Sequence, residues 1–298
     1  MHPPIFYEFQ RKESSSDGRS VYDFLGGAID ASYKHGWEKN VQPAGIKLKP
    51  GYPAPSEWTI DWIACLLAAK LAGERFTVIE LGAGYGQWMV SAIMAYKSLH
   101  PDRPAHGMAL EADVTHFEWL EQHVAKNIGG YPDVETDLLY AAAGYDGTAR
   151  FPILSEPDRD YGAAYQTNRA SENMHEVRCF SMDSINQRFG EQCVDLLHVD
   201  IQGAEQDLMV NPGFESVLRK TRFALFGTHK SDALHDSLSK QCESAGLKIH
   251  INWPRNSSVK SQFGEVETND GAILCSAESL CEQTKFWLSH QAAKKKLC

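Results

Sequence analysis

The sequence lacks several features that would assign it to a specialised class of protein. None of its apolar runs approaches the roughly 18 residues of a membrane-spanning helix. Its seven cysteines are scattered and form no C-x-x-C pair, which is typical of reduced thiols and gives no zinc site. The first residues have neither the basic flank nor the apolar stretch of a signal peptide. Together these absences predict a cytoplasmic location.

Basic residues are also scarce. The 298-residue chain has 29 Lys and Arg against 39 Asp and Glu, a formal net charge of -10. The basic cluster Lys294–Lys296 lies near the C-terminus, and we interpret it as a solvated tail. Because binding to nucleic acid depends on a basic surface, we expect neither nucleic acid nor a membrane as a partner. The sequence gives no indication of oligomeric state.

Two familiar nucleotide-binding patterns are missing from the most informative stretch, residues 77–86. The apolar run Val78–Leu81, interrupted by Glu80, predicts a strand buried in a parallel sheet, and residues 87–94 predict a helix. Between them lie Gly82, Gly84 and Gly86, so the spacing is G-x-G-x-G. A dinucleotide site has G-x-G-x-x-G, and a P-loop has a Lys that is absent here. The glycines indicate a close ligand approach, with a dinucleotide site or a plain tight turn as alternatives.

Two later strands end in residues that suit a nucleoside. Glu111 ends the predicted second strand, where an acid can accept hydrogen bonds from ribose hydroxyls of several cofactors, NAD included. Ala142 and Ala143 end the third, where small side chains leave room for a flat adenine. The predicted cofactor-binding residues are Glu80, Gly82, Ala83, Gly84, Tyr85, Gly86, Glu111 and Ala142.

The rest of the chain continues the alternation of strands and helices. Asp146-Gly147 predicts a hairpin turn, Val177–Ser181 an edge strand, and the polar stretch 155–175 a loop that we interpret as a lid on the substrate side. Two further buried strands end near Asp200 and His229, at the sheet edge where open α/β sheets bind ligands.

Three blocks together resemble the FkbM family of methyltransferases that use S-adenosylmethionine (SAM). They are the glycine turn Glu80–Gly86, the block Val194–Glu205 and the triplet Gly227–His229. The match spans about residues 75–275, and Gln202 stands where Glu is common in the family. The resemblance implies an α/β, Rossmann-like, seven-stranded and mostly parallel sheet with helices on both faces and an antiparallel last strand. We expect residues 1–73 to form a helical and irregular extension that caps a SAM-binding domain of residues 74–298.

The resemblance also implies a chemistry, methyl transfer from SAM to a hydroxyl oxygen of a small molecule or glycan. A neutral hydroxyl is a weak nucleophile, so we expect His229 to act as the base and Asp200 to orient it or to hold the acceptor hydroxyl. Some related enzymes use Mg²⁺ on acidic strand ends. Asp200 is one candidate ligand here, so Mg²⁺ is an alternative cofactor beside SAM. No second carboxylate can be named, and no metal-site residues are predicted. A nicotinamide-dependent oxidoreductase and a SAM-binding protein without turnover are the alternatives.

Overall fold

A computed structural model describes residues 2–165, 173–190, 192–261 and 264–289. Within these ranges the strands are β1 (Ser14–Ser15), β2 (Ser20–Tyr22), β3 (Ala28–Asp30), β4 (Lys47–Leu48), β5 (Phe76–Leu81), β6 (Ala105–Glu111), β7 (Val134–Gly144), β8 (Gly147–Pro152), β9 (Met174–Ser181), β10 (Val194–Val199), β11 (Thr221–Thr228), β12 (Leu247–Trp253), β13 (Ser257–Ser261), β14 (Gly264–Thr268) and β15 (Gly271–Ala277). The helices are α1 (Thr59–Leu71), α2 (Gln87–Leu99), α3 (Val114–Asn127), α4 (Met182–Phe189), α5 (Glu205–Met209), α6 (Pro212–Arg219), α7 (Asp232–Ser244) and α8 (Cys281–Leu288). Short 3-10 helices cover Pro4–Glu8, Ala31–Tyr33, Trp37–Asn40 and Glu278–Leu280. None of the described helices is long and apolar enough to span a membrane.

One large mixed sheet organises the fold. Its nine strands lie in the order β12-β15-β11-β10-β5-β6-β7-β9-β8. β15 is antiparallel to both of its neighbours and β8 is antiparallel to β9, while the remaining strands run parallel. The predicted fold class, a mostly parallel Rossmann-like sheet with an antiparallel last strand, is confirmed. The sheet is wider than the seven strands expected, because β9 and β8 continue it beyond β7.

That extension contradicts two local predictions. Asp146-Gly147 does not join paired strands, because β9 lies between β7 and β8, and β8 pairs with β9. The Asp146 carboxylate instead accepts hydrogen bonds from the backbone N–H and the hydroxyl of Ser181, at 3.0 and 2.8 Å. Residues 177–181 are therefore part of an interior strand, and β8 forms the edge. A turn motif indicates that the chain reverses direction, but it does not indicate which strand will pair beside the strand that precedes it.

Helices cover both faces of the sheet, as predicted. On one face α1 and α2 bury apolar side chains against β5 and β11, in a cluster that includes Phe76 and Met89. On the other face α4, α6 and α7 pack against the opposite sides of the central strands. The N-terminal residues Phe6, Phe9 and Phe24 are buried in the first of these clusters. The start of the chain thus shares its core with the sheet.

Candidate functional site

The candidate site lies where the sheet changes its direction of growth. From β5 the chain adds β6 and β7 on one side, then returns to place β10 and β11 on the other side of β5. In open α/β sheets, ligands bind at such a switch point, outside the carboxyl ends of the strands. Here the glycine turn follows β5 and Asp200 follows β10, and Asp200 donates its backbone N–H to the Leu81 carbonyl at 2.9 Å.

The glycine turn has a backbone that other residues would strain. Gly82, Gly84 and Gly86 have φ of 76°, 54° and 76°, in the left-handed region. A Cβ on Gly82 would lie 1.9 Å from the Asp200 carbonyl oxygen, and a Cβ on Gly86 would lie 2.4 Å from a methyl carbon of Leu120. The first glycine therefore lets the ends of β5 and β10 approach each other, and the third lets α2 pack on α3.

Glu80 is tied to the helix that follows the turn. Its two carboxylate oxygens accept the backbone N–H groups of Trp88 and Met89, at 3.2 and 2.8 Å, in the first turn of α2. These N–H groups have no partner within the helix, and a carboxylate at this position also interacts favourably with the helix dipole. Burial raises the pKa of Glu80 to about 7. The predicted cofactor ligand thus has a clear structural task as well.

Glu111 is bonded to the glycine turn from the neighbouring strand. One carboxylate oxygen accepts the Gly84 N–H at 2.6 Å, and the other accepts the N–H groups of Ala112 and Asp113, at 2.8 and 2.7 Å. Burial raises the pKa of Glu111 above its ordinary value, although these hydrogen bonds oppose the rise. The oxygen bonded to Gly84 has a second lone pair, so the carboxylate can still accept a hydroxyl.

A single cavity of about 630 Å³ brings most of the predicted site residues together. This volume is within the range of cofactor and small-molecule sites. The predicted residues that line the cavity are Glu80, Gly82, Ala83, Gly84, Tyr85, Glu111, Ala142, Asp200 and His229. Gly86 does not line it, since its role is in the packing of α2 on α3.

Each ring nitrogen of His229 lies beside a carboxylate. Its Nδ1 lies 2.7 Å from Glu205 Oε1, and its Nε2 lies 3.1 Å from Asp200 Oδ1. Burial alone would lower the pKa of His229, but the hydrogen bonds to Asp200 and Glu205 outweigh it and raise the pKa to about 10. At neutral pH the imidazole is therefore a cation. The pKa of Asp200 falls below its ordinary value, because the partnership with His229 outweighs the effect of burial.

Several residues of the cavity were missed by the sequence analysis. His198 in β10 is paired with Asp61 of α1, with 2.9 Å between Nε2 and Oδ1. Glu205 does not line the cavity but is hydrogen-bonded to His229, and the sequence analysis did not assign it to the site. Its position at a helix start, close to two strand ends with candidate site residues, was a usable signal. Lys34 and Asp61 belong to the N-terminal part of the chain, where no motif pointed to them.

The predicted lid region is described only in part, because residues 166–172 lie outside the described ranges. In the described portion, the Tyr161 ring stacks on His116 with 4.4 Å between ring centroids. The same ring lies 3.1 Å from where a Cβ of Gly84 would be, and the Tyr161 hydroxyl donates to the Tyr33 carbonyl. Tyr161 therefore covers the middle of the glycine turn.

The cavity is strongly acidic. Its described lining contains one lysine, Lys34, no arginine, and the carboxylates of Asp23, Glu57, Asp61, Glu80, Glu111, Asp160, Asp200 and Asp270. Such a lining favours a cationic ligand over an anionic one. Despite these acids, the described residues include no group of three or more His, Cys, Asp or Glu arranged to hold a metal ion.

Comparison with known proteins gives one clear sequence relative. The chain is 28% identical over 260 residues to a protein of Jannaschia sp. (strain CCS1) named "Putative methyltransferase", with 83% of this chain and 88% of the relative covered. No protein-family profile matches the chain.

Several solved structures with some likeness carry methyltransferase titles. The FkbM methyltransferase of Methylobacillus flagellatus is 12% identical, with a TM-score of 0.40 and coverage of 69% of this chain and 45% of that one. The magnesium protoporphyrin IX methyltransferase of Synechocystis, solved with bound SAM, is 8% identical, with a TM-score of 0.39 and coverage of 74% and 78%. At these scores the likeness says nothing about substrate or mechanism, and the fold assignment depends on the sheet itself.

Proposed function

We propose that this chain is a SAM-dependent methyltransferase that transfers the methyl group to a hydroxyl oxygen of a small molecule or glycan. The observation that carries the proposal is the shared cavity, which places a left-handed glycine turn and its partner Glu111 in one space with the Asp200–His229 pair. The sequence relative, itself named as a methyltransferase, supports methyl transfer in general. Hydroxyl oxygen as the acceptor atom is supported by the FkbM-like motifs.

The residues present fit SAM. Gly84 lines the cavity beneath the Tyr161 ring, and Glu111 retains acceptor capacity for a ribose hydroxyl. The acidic lining suits a ligand with a sulfonium and an ammonium group, and the small Ala142 leaves space for the adenine. When bound, SAM supplies a methyl group on a good leaving group, so the protein's main tasks are to align the acceptor and to receive a proton.

Asp200 is the better candidate for the group that receives the proton. A protonated His229 cannot accept another, and its two nitrogens already face Asp200 and Glu205. The Asp200 side chain is 41% exposed, toward the cavity, and its second oxygen is available to an acceptor hydroxyl. In this scheme Asp200 orients the hydroxyl and takes its proton as the methyl group is transferred. The His229 cation keeps Asp200 ionised and in place.

The N-terminal part of the chain contributes to the same site. Lys34, Trp37 and Trp58 line the cavity beside the sheet residues. We therefore interpret residues 1–73 as a cap that forms the acceptor side of the cavity, with residues 74–298 as the cofactor-binding domain. This division remains a prediction.

A thermal-shift titration with SAM, S-adenosylhomocysteine and NAD(H) tests the cofactor. A ligand that binds only the folded state raises stability by about 2.7 kcal/mol at a hundred times its dissociation constant. We expect the two adenosyl ligands to stabilise the protein and NAD(H) to have no effect. Stabilisation by NAD(H) alone would support the oxidoreductase alternative and overturn the proposal.

A matched pair of variants assigns the binding to the described cavity. Glu111→Gln weakens the hydrogen bond to Gly84 and removes a charged acceptor, so we expect SAM affinity to fall by about tenfold or more. Glu118→Gln changes an exposed acid on α3 and should bind SAM like the unmodified protein. Equal affinities of the two variants would show that SAM binds elsewhere.

A further inference from the structure

Lys34 occupies an unusual position for a lysine. It follows the 3-10 helix Ala31–Tyr33 and lines the cavity. Its Nζ lies 3.9 Å from the ring centroid of Trp58, 5.1 Å from that of Tyr161 and 6.0 Å from that of Trp37. Within the described part of the chain, no carboxylate lies within ion-pair distance of Nζ. Three aromatic faces therefore hold the amine.

The surroundings of the amine reduce its affinity for a proton. Burial lowers the pKa of Lys34 to about 8. The negative charges of Glu57, Asp200 and Asp61, which also line the cavity, counter this only in part. At neutral pH, on the order of a tenth of Lys34 is neutral, against roughly one part in several thousand for an ordinary lysine. A neutral amine has the lone pair that a nucleophile needs.

Lys34 also lies close to both halves of the proposed machinery. The Tyr161 ring, whose centroid lies 5.1 Å from Nζ, packs against Gly84. Asp200 is near enough for its negative charge to raise the pKa of the amine. The amine is therefore in the part of the cavity that the proposed function gives to the acceptor. No other lysine or arginine lines the described cavity.

We propose that Lys34 Nζ is itself a methyl acceptor, so that the chain methylates its own lysine. The inference rests on the proposed function, because SAM is the methyl donor. The Lys34 ammonium first releases a proton to solvent. The lone pair of Nζ then forms the N–C bond as the S–C bond of SAM breaks, S-adenosylhomocysteine leaves, and the methylammonium product can lose a proton to solvent before another transfer.

The three aromatic rings suit the product better than the starting amine. A methylated ammonium is larger and less strongly hydrated than an unmodified one, and aromatic faces arranged around a cation are a known way to bind methylated amines. Trp58, Tyr161 and Trp37 would therefore retain the modified side chain. The neighbouring carboxylates of Glu57 and Asp61 add attraction at longer range.

The test incubates the purified full-length protein with SAM carrying a deuterated methyl group. Intact-mass measurement then counts the transferred groups, and peptide mapping locates them. We expect one to three labelled methyl groups on Lys34, at a rate that does not change on dilution, because donor and acceptor share one chain. The Lys34→Arg variant should gain no label there, whereas Lys39→Arg, which changes an exposed lysine of the same segment, should be labelled like the unmodified protein.

SAM binding is measured on the same samples by calorimetry, so that failure of the inference is distinguishable from failure of the proposed function. Binding without label at Lys34 would overturn the inference and leave the proposed function standing. Label spread over several lysines, and unchanged in Lys34→Arg, would also overturn it. Absence of SAM binding would overturn both.

Discussion

The imidazole of His229 has two carboxylate partners and is almost completely buried. Because the pKa of this imidazole is raised in the folded protein, protonation of His229 contributes to the free energy of unfolding, and the contribution depends on pH. The contribution is fully present below about pH 6.5, the ordinary histidine value, and it is lost as the pH rises through about 10, where the folded protein releases the proton.

We therefore expect the stability advantage of the unmodified protein over His229→Gln to shrink between these two pH values. With about 1.4 kcal/mol per unit of pKa difference, and allowing for relaxation of the site, the change should be about 2–4 kcal/mol. Urea unfolding of both proteins across this range gives the two curves. An advantage that stays constant with pH would mean that His229 is not charged in the fold.

Asp200 lies between the acceptor space and this cation, so its removal should affect chemistry more than binding. For Asp200→Asn we expect SAM affinity to change little and turnover to fall by roughly 10²–10⁴-fold, the usual contribution of a proton-transfer group. Formation of S-adenosylhomocysteine is measured with an acceptor found by screening. Asp236→Asn, on the exposed face of α7, is the matched control. Turnover that survived in Asp200→Asn would remove Asp200 from the mechanism.

At the scale of elements, the glycine turn shows how two strands are brought together. Gly82 and Gly36 have nearly the same φ, 76° and 77°, but a Cβ on Gly36 would meet nothing within 4 Å, whereas one on Gly82 would overlap the Asp200 carbonyl. Substitution of Gly36 therefore tests backbone strain alone, whereas substitution of Gly82 tests strain together with the close approach of β5 and β10.

For Gly36→Ala we expect a loss of about 1 kcal/mol in the free energy of unfolding, from the left-handed backbone alone. For Gly82→Ala we expect at least about 3 kcal/mol, because the ends of β5 and β10 must separate. Denaturant unfolding of both variants gives the comparison. Equal losses would show that the two strand ends move apart without cost.

The elements that the sequence predicted well are those whose signal is local. The β5–turn–α2 unit, Glu111 at the end of β6 and Asp200 at the end of β10 each combine an apolar strand with one unusual residue. Their convergence follows from the rule that parallel strands end at one edge. The insertion of β9 between β7 and β8 has no such signal, because strand pairing depends on contacts distant in the sequence.

The electrostatics of the site were less predictable for the same reason. His198 and its partner Asp61 are 137 residues apart, and the second partner of His229 is Glu205, 24 residues away. The prediction of His229 as a base assumes an ordinary histidine pKa, but the carboxylates of Asp200 and Glu205 outweigh burial and raise that pKa to about 10. Nothing in the N-terminal sequence marked Lys34, since its character comes from the aromatic rings that surround it.

At the scale of the whole molecule, the start of the chain and the sheet form one core. Phe6, Phe9 and Phe24 are each at most 1% exposed and belong to the cluster around Phe76. Removal of the N-terminal segment would expose the apolar surface that these side chains now cover.

We accordingly expect the full chain to unfold in a single cooperative transition, with coincident curves from far-ultraviolet circular dichroism and tryptophan fluorescence. A variant that lacks residues 1–58 should be much less stable or insoluble. Two separate transitions in the full chain, or a truncated variant as stable as the whole, would instead show that the N-terminal segment folds independently of the sheet.

The position of Tyr161 has a consequence for kinetics. Its ring is stacked on His116 and covers Gly84, and its hydroxyl donates a hydrogen bond to the Tyr33 carbonyl. A ligand that contacts the backbone of the turn can bind only after this side chain has moved aside. Only molecules in which the ring is already displaced can therefore bind the ligand when the two collide. The cofactor should therefore associate more slowly than diffusion permits, and its apparent affinity includes the free energy of uncovering the turn.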